Sequence, residues 1–359
     1  MDLEKIIVPK DTLQNVVNSI EYNKVIIKYY KQFADSGSIL SSMDLLNRKA
    51  ERLAFCNKFW QLDKYEQQKI KDFKKTSLCH DKFCSNCKKV KQAARMSKYI
   101  PELEKYKDNL YHLVLTNPNC SGQDLGATVK KMSKCFKQLI NYFTGYKKIK
   151  GINFNKYHYS GAVRSLEVTF HNDNYHPHFH VGIVLNFKQG KKRIVNTYSY
   201  NNKNGFKELK RMFSVDEILI QKIWYLLMND IKVTKENIDN LKEGYSCLLN
   251  SFAPGDYAEL FKYITKENDE NGHILTYDNF VSLYYGLYRV KQIQGYGCLY
   301  RIDDNLDLEE LDIQYEKYID DIRKKESPSV TYEEPKDLML DDQYKLISRK
   351  SFFKYLKSL

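Results

Sequence analysis

The sequence predicts an α+β protein in which helices cover an antiparallel sheet and a small zinc-binding module precedes the sheet. Residues 163–170 and 175–185 are rich in β-branched and other apolar residues, and the segment between them suits a hairpin turn. Residues 121–145 carry apolar side chains every three or four positions, as expected of an amphipathic helix packed on a sheet. Three closely spaced cysteines within residues 79–87 indicate the zinc module.

The length and composition of the chain limit the kinds of protein that it can be. With 359 residues, of which 42% are hydrophobic, the chain can bury a core divided among two or three units. It has no run of about 18 apolar residues, so we expect no membrane span. The first residues, Met-Asp-Leu-Glu-Lys, lack the pattern of a signal peptide. We therefore expect a cytoplasmic protein whose cysteines serve as ligands or buried thiols rather than disulfides.

The charge of the chain points to a polyanionic partner. The net charge is +13, and residues 303–359 do not contribute to it, because they contain 15 acidic and 10 basic residues. A strongly basic body over residues 1–302 is most simply explained by nucleic-acid binding. The alternative is charge that serves only solubility.

We divide the chain into four parts. Residues 1–55 have a helical pattern that is broken at residues 36–38, and residues 56–100 hold the zinc-binding module with a basic run after it. Residues 101–302 hold the sheet and its helices. Residues 303–359 form an acidic tail of low apolar content, which is typical of a linker or a loose end.

The cysteines of the zinc module have the spacing of metal ligands. Cys84 and Cys87 are separated by two residues, as in a zinc knuckle, and Cys79 precedes them. A closed tetrahedral site needs a fourth ligand, for which we choose Cys56 over its rival His80. A structural zinc ion here would order the loop and direct the following basic residues at phosphates. The alternative is a set of unrelated buried thiols.

A histidine-rich strand carries the most specific chemical signal. His176, His178 and His180 alternate with other residues, so in a strand they lie on one face. A hairpin would bring Glu167 of the preceding strand across from them. Two imidazoles and a carboxylate form a site for a divalent metal ion. The alternative is a core strand with solvent-facing histidines, but three of the eight histidines fall within five residues.

The remaining elements of residues 101–302 follow in order. They are strands at 111–116 and 245–249, and helices that begin at Ser214, Pro254 and Thr276. The first of these helices opens with a capping box, in which Glu217 is the partner of Ser214.

The helix predicted after Pro254 carries a tyrosine suited to attack a phosphodiester. Glu259, Tyr263 and Lys266 have the spacing i, i+4 and i+7, which places them on one helix face. A free phenol has a pKa of about 10, so attack at neutral pH needs a metal ion or Lys266 to stabilise charge. The products would be a 5′-phosphotyrosine and a free 3′-hydroxyl. As one of 29 tyrosines, Tyr263 could instead be a packing residue.

Three motifs together resemble those of rolling-circle replication initiators of small Gram-positive-type plasmids, within the HUH endonuclease superfamily. They are Leu-Val-Leu-Thr-Asn-Pro-Asn at 113–119, His-Pro-His-Phe-His-Val at 176–181 and Glu-Leu-Phe-Lys-Tyr-Ile-Thr-Lys at 259–266. The cysteine group before the first motif also resembles that family. The likeness covers about residues 45–302. It implies a central antiparallel sheet flanked by helices, with the Tyr263 helix under the metal-binding strand.

The resemblance also implies roles for individual residues. Tyr263 would be the nicking nucleophile, with Tyr257 as a fallback. Glu259 would activate water for the hydrolysis that terminates replication. The glutamate and the two histidines of the metal site would hold Mn²⁺ or Mg²⁺, and His176 would either ligate the ion or orient a ligand.

The expected partners follow from the same resemblance. They are plasmid origin DNA, in duplex and single-stranded form, and the host helicase and polymerase. A relaxase or a single-strand transposase would use the same chemistry. A non-catalytic zinc-containing DNA-binding regulator would keep the zinc module and the basic body but leave Glu167, His178, His180 and Tyr263 without a catalytic role.

Overall fold

The computed structural model describes residues 5–38, 40–63, 79–201, 205–242, 244–262, 275–302 and 344–348. By their contacts the residues form two units, Met1–Ala94 with Leu306–Leu359, and Arg95–Asn305. The first unit therefore draws on two separate stretches of chain, while the second is continuous. Among the described helices, none combines the length and the apolar character that crossing a membrane requires.

The first unit contains helices and one pair of strands. Its elements are β1 (Lys5–Pro9), α1 (Lys10–Ser36), α2 (Met43–Asp63), the beginning of α3 (Ser85–Glu104) and β9 (Tyr344–Ser348). Helix α1 ends where the sequence predicts a break, and Gly37 follows it with a φ of 77° and a hydrogen bond to the Ala34 carbonyl. The Ser42 hydroxyl then caps α2 by accepting the Leu45 N–H.

The predictions for the two ends of the chain are wrong in part. Residues 5–9, predicted as helical, form β1, and residues 344–348, predicted as part of a loose tail, form β9. The two strands pair antiparallel. The reason is local composition, because Ile-Ile-Val at 6–8 favours a strand, and Tyr-Lys-Leu-Ile-Ser at 344–348 lacks the acidic residues of the tail. The rest of the predicted tail lies outside the described residues, and the fourfold division of the chain stays a prediction.

The second unit is built on a five-stranded antiparallel sheet in the order β7-β2-β4-β3-β8. Its strands are β2 (Leu110–Thr116), β3 (Tyr159–His171), β4 (Asn174–Leu185), β7 (Cys247–Ser251) and β8 (Ile293–Gly297). Its helices are the end of α3, α4 (Leu125–Phe143), α5 (Val215–Met228), α6 (Lys235–Asn240), α7 (Asp256–Leu260) and α8 (Tyr277–Gly286). A separate hairpin pairs β5 (Arg193–Asn201) with β6 (Gly205–Phe213). The predicted α+β class is confirmed.

Local sequence signals set several element boundaries. The predicted capping box opens α5, because the Ser214 hydroxyl accepts the Glu217 N–H at 3.1 Å and the Glu217 carboxylate accepts the Ser214 N–H at 2.7 Å. Helix α4 ends just before Gly145, which has a φ of 74°. The strand predicted at 245–249 runs over Cys247–Ser251 instead.

The two faces of the sheet are covered by different helices. Phe179 on β4 is fully buried, and its ring centroid lies 5.7 Å from that of Phe136 on α4 and 6.4 Å from that of Trp224 on α5. On the opposite face, a Cβ atom on Gly182 would lie 3.4 Å from Leu260, so α7 packs closely there. Since side chains alternate along a strand, the even-numbered positions of β4, which include the predicted metal ligands, share this second face.

Helix α7 is shorter than the sequence predicts. The spacing of Glu259, Tyr263 and Lys266 predicts one helix that carries all three, but α7 ends at Leu260. Phe261 leaves the helical conformation, with φ −104° and ψ 13°, and its side chain is fully buried. The prediction of a single continuous helix is therefore wrong, because burial of this phenylalanine outweighs the local helical pattern. Tyr263 and Lys266 lie outside the described residues.

Candidate active site and cysteine cluster

The β3–β4 hairpin sets the geometry of the predicted metal site. Its strands are joined through Asn172 and Asp173, and Asn172 has a φ of 51°, a left-handed conformation that asparagine tolerates in tight turns. The Asp173 carboxylate accepts the Gly122 N–H at 3.1 Å, which holds the turn in place. In the resulting register Glu167 lies directly opposite His178. The predicted hairpin is confirmed.

Glu167, His178 and His180 come together on the sheet face that α7 covers. The Glu167 Oε2 lies 3.2 Å from His178 Nε2 and 3.1 Å from His180 Nε2. Ligand atoms from the three residues all lie within 4.8 Å of one another. Glu167 is 3% exposed and His180 is 7% exposed, so little water reaches the group. Two imidazole nitrogens and a carboxylate oxygen in this arrangement can hold a divalent metal ion.

Both histidines turn Nε2 toward the carboxylate because Nδ1 is engaged elsewhere. His178 Nδ1 lies 3.1 Å from the His176 carbonyl oxygen, which only accepts, so Nδ1 carries the proton and donates it. His180 Nδ1 lies 3.1 Å from His112 Nε2. A histidine with its proton on Nδ1 can present an Nε2 lone pair to a metal ion, which would take the place of the proton that Nε2 shares with Glu167.

The buried carboxylate of the group is held in its charged form. Burial alone would raise the pKa of Glu167. Hydrogen bonds with His178 and His180 and the nearby charge of Lys262 outweigh burial, so the pKa of Glu167 lies well below its ordinary value. The site therefore presents a carboxylate, which is the form that binds metal ions.

His176 lies beside this group. Its Nδ1 lies 2.9 Å from Asn119 Oδ1, and its ring centroid is 5.3 Å from that of His178. Burial and the neighbouring His178 lower the pKa of His176 to about 4, so its imidazole is neutral at pH 7. Asn119 ends the first motif, so this contact joins the first motif to the metal motif. Whether His176 ligates or orients a ligand stays a prediction.

One side chain of the third motif, that of Lys262, reaches the same group. Lys262 Nζ lies 4.0 Å from Glu167 Oε2 and forms an ion pair with the Glu259 carboxylate. Lys262 directly precedes Tyr263 in the chain. The sequence singles out Lys266 as the cation of this motif, whereas among the described residues the cation beside Glu167 is Lys262.

The backbone at Lys262 is anchored from a neighbouring segment. Its carbonyl accepts a hydrogen bond from Gln292 Nε2 at 2.6 Å. The Gln292 Oε1 in turn accepts from Arg95 Nη1 at 2.8 Å, and Arg95 and Gln292 are both buried. The backbone is thus fixed at the residue that directly precedes Tyr263, the predicted nucleophile.

Tyr257, the fallback nucleophile, is poorly placed for attack. Its side chain is 7% exposed, and its hydroxyl donates to Glu104 Oε1 at 2.5 Å. Burial, followed by the Glu104 carboxylate, raises the pKa of Tyr257 above its ordinary value, which disfavours the reactive phenolate. Tyr257 is better explained as an anchor that ties α7 to the end of α3.

The site contains two residues that the sequence does not single out, His112 and Asp256. His112 lies on β2 opposite Gly182, with Nε2 3.1 Å from His180 Nδ1 and Nδ1 2.8 Å from Asp256 Oδ1. Burial lowers the pKa of His112, and the opposing effect of Asp256 is smaller. Strand periodicity alone assigns His112 to one face of β2. Only the register between β2 and β4 shows that this face is shared with His180.

The four predicted zinc ligands form a cluster in the first unit. Cys56 comes from α2, Cys79 from the loop before α3, and Cys84 and Cys87 from the start of α3. The sulfur–sulfur distances are 3.6 Å for Cys56–Cys87 and Cys79–Cys87 and 3.5 Å for Cys84–Cys56. Tetrahedral zinc with Zn–S bonds of about 2.3 Å has sulfur–sulfur edges of about 3.8 Å, so the cluster fits a zinc ion. His80, the rival fourth ligand, is not part of this group.

Within the cluster, Cys87 is the thiol that most readily becomes a thiolate. All four cysteines are buried. Hydrogen bonds from Cys56, Cys79 and Cys84 lower the pKa of Cys87 in spite of its burial, whereas hydrogen bonds and burial raise the pKa values of Cys56 and Cys79. The thiolate is the form that binds metal ions.

Asp81 orders the loop that carries the cluster. Its Oδ1 accepts the Phe83 N–H at 2.8 Å. Its Oδ2 accepts from the Tyr30 hydroxyl at 2.7 Å and from Lys49 Nζ at 3.3 Å. Because Tyr30 belongs to α1 and Lys49 to α2, the loop is held by both helices.

Known proteins resemble this chain over much of its length. The Rep_1 family model, described as a replication protein, matches residues 70–338. A Protein rep of Staphylococcus aureus is 34% identical over 142 residues, which cover 36% of this chain and 56% of the relative. A Protein rep of Streptococcus pneumoniae serotype 2 (strain D39 / NCTC 7466) is 28% identical over 235 residues, 62% of this chain and 61% of the relative. The chain thus spans less than two thirds of each relative. No solved structure matches it.

Proposed function

Because this chain belongs to the Rep_1 family of replication proteins, we propose that it starts rolling-circle replication of a plasmid by nicking one strand of the origin DNA. One observation carries this proposal. The buried group of Glu167, His178 and His180 lies beside Lys262, the residue that directly precedes Tyr263. A phosphodiester bound at this group would therefore lie close to the start of the segment that carries the nucleophile.

The reaction that we assign to the site is a transesterification. The Tyr263 oxygen attacks the phosphorus of the scissile phosphodiester and loses its proton to water. The bond between phosphorus and the 3′ oxygen breaks, and that oxygen takes up a proton. The products are a phosphotyrosine link to the new 5′ end of the cut strand and a free 3′-hydroxyl, which a host polymerase can extend.

Glu167, His178 and His180 would hold the catalytic ion, Mn²⁺ or Mg²⁺. Carboxylate and imidazole ligands suit Mn²⁺, and the ionised Glu167 is already in the form that ligation requires. The Nδ1 hydrogen bond of His178 to a backbone carbonyl leaves its Nε2 as the nitrogen that could bind the ion. When bound, the ion supplies Lewis-acid polarisation of a phosphate oxygen. The sheet contributes rigidity, because all three ligands lie on the paired strands β3 and β4.

Lys262 is suited to stabilise charge on the reacting phosphate. Its side chain is 34% exposed, so DNA can reach it, and its ammonium lies beside Glu167. A fixed cation at this position would favour the transition state, in which negative charge builds up on the phosphate oxygens. Lys266, the cation predicted from the sequence, would then contact phosphate further along the strand.

Glu259 is proposed to act in termination. Its side chain is 39% exposed and pairs with Lys262, whose ammonium also lies 4.0 Å from Glu167. A carboxylate in such a position can accept a proton from a water molecule that attacks the phosphotyrosine link. This hydrolysis would release the protein after one round of replication.

We further propose that Cys56, Cys79, Cys84 and Cys87 bind a structural zinc ion. Their sulfur atoms have the spacing of a tetrahedral site, and the lowered pKa of Cys87 favours ligation. The ion would tie α2 to the start of α3, and the basic residues that follow Cys87 would then meet phosphates from an ordered helix.

The rival functions are less well supported. A relaxase or a single-strand transposase would share the chemistry, but the family match favours a replication initiator. A non-catalytic DNA-binding regulator would have no use for an ionised carboxylate buried between two histidines. In our proposal the partners are origin DNA, in duplex and single-stranded form, and the host helicase and polymerase.

An adduct assay tests the proposed function. The full chain is incubated with single-stranded oligonucleotides that together cover the plasmid origin, with Mn²⁺, and the products are examined by mass spectrometry. We expect one oligonucleotide to be cut, with its 5′ phosphate linked to a peptide that contains Tyr263. Specific duplex binding without cleavage under any divalent ion would refute the enzyme and support the regulator.

A further inference from the structure

Four side chains on the α7 side of the sheet form a continuous hydrogen-bonded row. Asp256 Oδ1 lies 2.8 Å from His112 Nδ1, His112 Nε2 lies 3.1 Å from His180 Nδ1, and His180 Nε2 lies 3.1 Å from Glu167 Oε2. The side chains of His112 and His180 are each only 9% exposed. The rings of these two histidines stack, with centroids 5.3 Å apart. Three separate elements, α7, β2 and β4, thus contribute to the row before it reaches Glu167.

The Asp256 carboxylate at one end of the row determines which histidine nitrogens carry protons when a metal ion is bound. An ionised carboxylate only accepts, so His112 Nδ1 must donate to Asp256. A neutral His112 then has its lone pair on Nε2 and accepts the proton of His180 Nδ1. His180 in turn would have its own lone pair on Nε2 for the ion, in place of the hydrogen bond that this nitrogen makes with Glu167 when no ion is bound. Asp256 therefore selects, through His112, the form of His180 that can bind a metal ion.

The second metal-binding histidine is oriented in a different way. His178 Nδ1 donates to the carbonyl of His176, an acceptor on its own strand. The Nδ1 atom of His180 contacts the side chain of His112 instead of a backbone carbonyl. His112 in turn is hydrogen-bonded to Asp256, the first residue of α7. One ligand is thus held by its own backbone, while the other is held by side chains that lead to the helix before the nucleophile segment.

We infer that His112 and Asp256 are positioning residues that fix the tautomer and ring orientation of His180 for metal binding. This inference rests on the proposed metal site. Hydrogen-bond partners of metal-bound histidines typically contribute about 10-fold to 100-fold in metal affinity. Because Asp256 also accepts the Ala253 N–H at 2.7 Å, the start of α7 and the metal ligand share one anchor.

Metal titration of the full chain without DNA tests this role. His112→Phe keeps a planar aromatic ring but removes both hydrogen bonds, and we expect Mn²⁺ to bind about 10-fold to 100-fold more weakly, as measured by electron paramagnetic resonance of free Mn²⁺. His112→Gln keeps an acceptor near the position of Nε2, and we expect it to recover part of the affinity. Asp256→Asn, which weakens the first acceptor of the row, should give a smaller loss. The Co²⁺ absorption spectrum should change in His112→Phe.

Tyr111→Phe is the matched control. It lies on the same strand, next to His112 but on the opposite face, and it loses one hydrogen bond, to the Phe187 carbonyl at 2.9 Å. We expect its Mn²⁺ affinity to equal that of the wild type. Thermal melting of every variant shows whether it is folded. If His112→Phe does not fold, the comparison of His112→Gln and Asp256→Asn with the wild type decides the matter.

The outcomes separate this inference from the proposed function. Wild-type Mn²⁺ affinity in folded His112→Phe, or in both other variants, would overturn the positioning role while the metal site stands. Equal losses in His112→Phe and His112→Gln would make His112 a packing residue and also overturn it. A wild-type chain that binds no divalent ion would refute the metal site itself and the positioning role with it.

Discussion

Glu167 Oε2 and His180 Nε2 lie 3.1 Å apart, although the two residues are not paired in the β3–β4 register. The partner of His180 in the ladder is Ser165, whose small side chain leaves room for the imidazole to reach diagonally toward Glu167. His178 meets the same oxygen from the directly opposite position. A single carboxylate oxygen thus joins both histidines, so changing Glu167 should affect the whole group.

Glu167→Gln should abolish nicking and leave duplex binding nearly intact. The amide keeps the shape of the side chain but loses the negative charge that holds the metal ion, whose polarisation of phosphate is worth several kcal/mol, or about 100-fold or more in rate. DNA affinity depends mainly on lysine and arginine contacts with phosphates. Nicking of supercoiled plasmid and fluorescence anisotropy with origin duplex measure the two properties. Glu236→Gln, an exposed change on α6, is the control, and equal losses of binding and nicking would contradict the separation.

Tyr263→Phe should form no covalent adduct with DNA, because it removes the attacking oxygen. Tyr257→Phe should form the adduct normally and lose about 1 kcal/mol of stability, because it breaks only the hydrogen bond to Glu104. Denaturing gel electrophoresis with labelled oligonucleotide detects the adduct in both variants. The reverse result, with an adduct in Tyr263→Phe and none in Tyr257→Phe, would show that the nucleophile has been misassigned.

Glu259→Ala should nick and form the adduct but fail to terminate. The hydroxyl and the metal ligands stay in place, whereas the carboxylate that accepts a proton from water is missing. Replication products should run beyond one plasmid length, or covalent complexes should accumulate, at least about 10-fold above the wild type. Southern blots of replication products measure this. Unit-length products in normal yield would reduce Glu259 to an ion-pair partner of Lys262.

Cys84→Ser and Cys87→Ser should lower both zinc content and stability. Each removes one thiolate from a closed tetrahedral site, whose binding energy contributes directly to folding. Zinc should fall from about one ion per chain to less than about half of that, as measured by inductively coupled plasma mass spectrometry. Cys298→Ser, an exposed cysteine outside the cluster, should change neither property. The zinc site would be refuted if the wild-type chain contained no zinc and both variants were as stable as the wild type.

The grouping of Glu167 with His178 and His180, and that of the four cysteines, could be predicted because their residues carry local patterns. His178 and His180 are two apart on one strand, and a short turn leaves few ways to place Glu167. Cys84 and Cys87 lie within one turn of a helix start. Cys56 is predicted only because a tetrahedral site needs a fourth ligand. It lies 31 residues before Cys87 in the sequence, and no local pattern places two residues so far apart beside each other.

Residues that depend on long-range packing could not be predicted. His112 faces His180 only through the register between β2 and β4, which no local pattern encodes. Lys262 reaches Glu167 because α7 stops at Leu260, and that end depends on the burial of Phe261 in the core. The sequence favours Lys266 as the cation because it assumes that one helix continues past Leu260, and the same assumption makes the predicted helix too long.

The pairing of β1 with β9 has a consequence for the order of folding during synthesis. Residues 5–9 leave the ribosome long before their strand partner, residues 344–348, is made. The continuous stretch Arg95–Asn305 is complete well before that partner appears. The second unit is therefore expected to fold on the nascent chain ahead of the first, in reverse of the usual N-terminal order. Limited proteolysis of ribosome-stalled chains that lack residues 344–348 should find 95–305 protected and the first unit still cleavable.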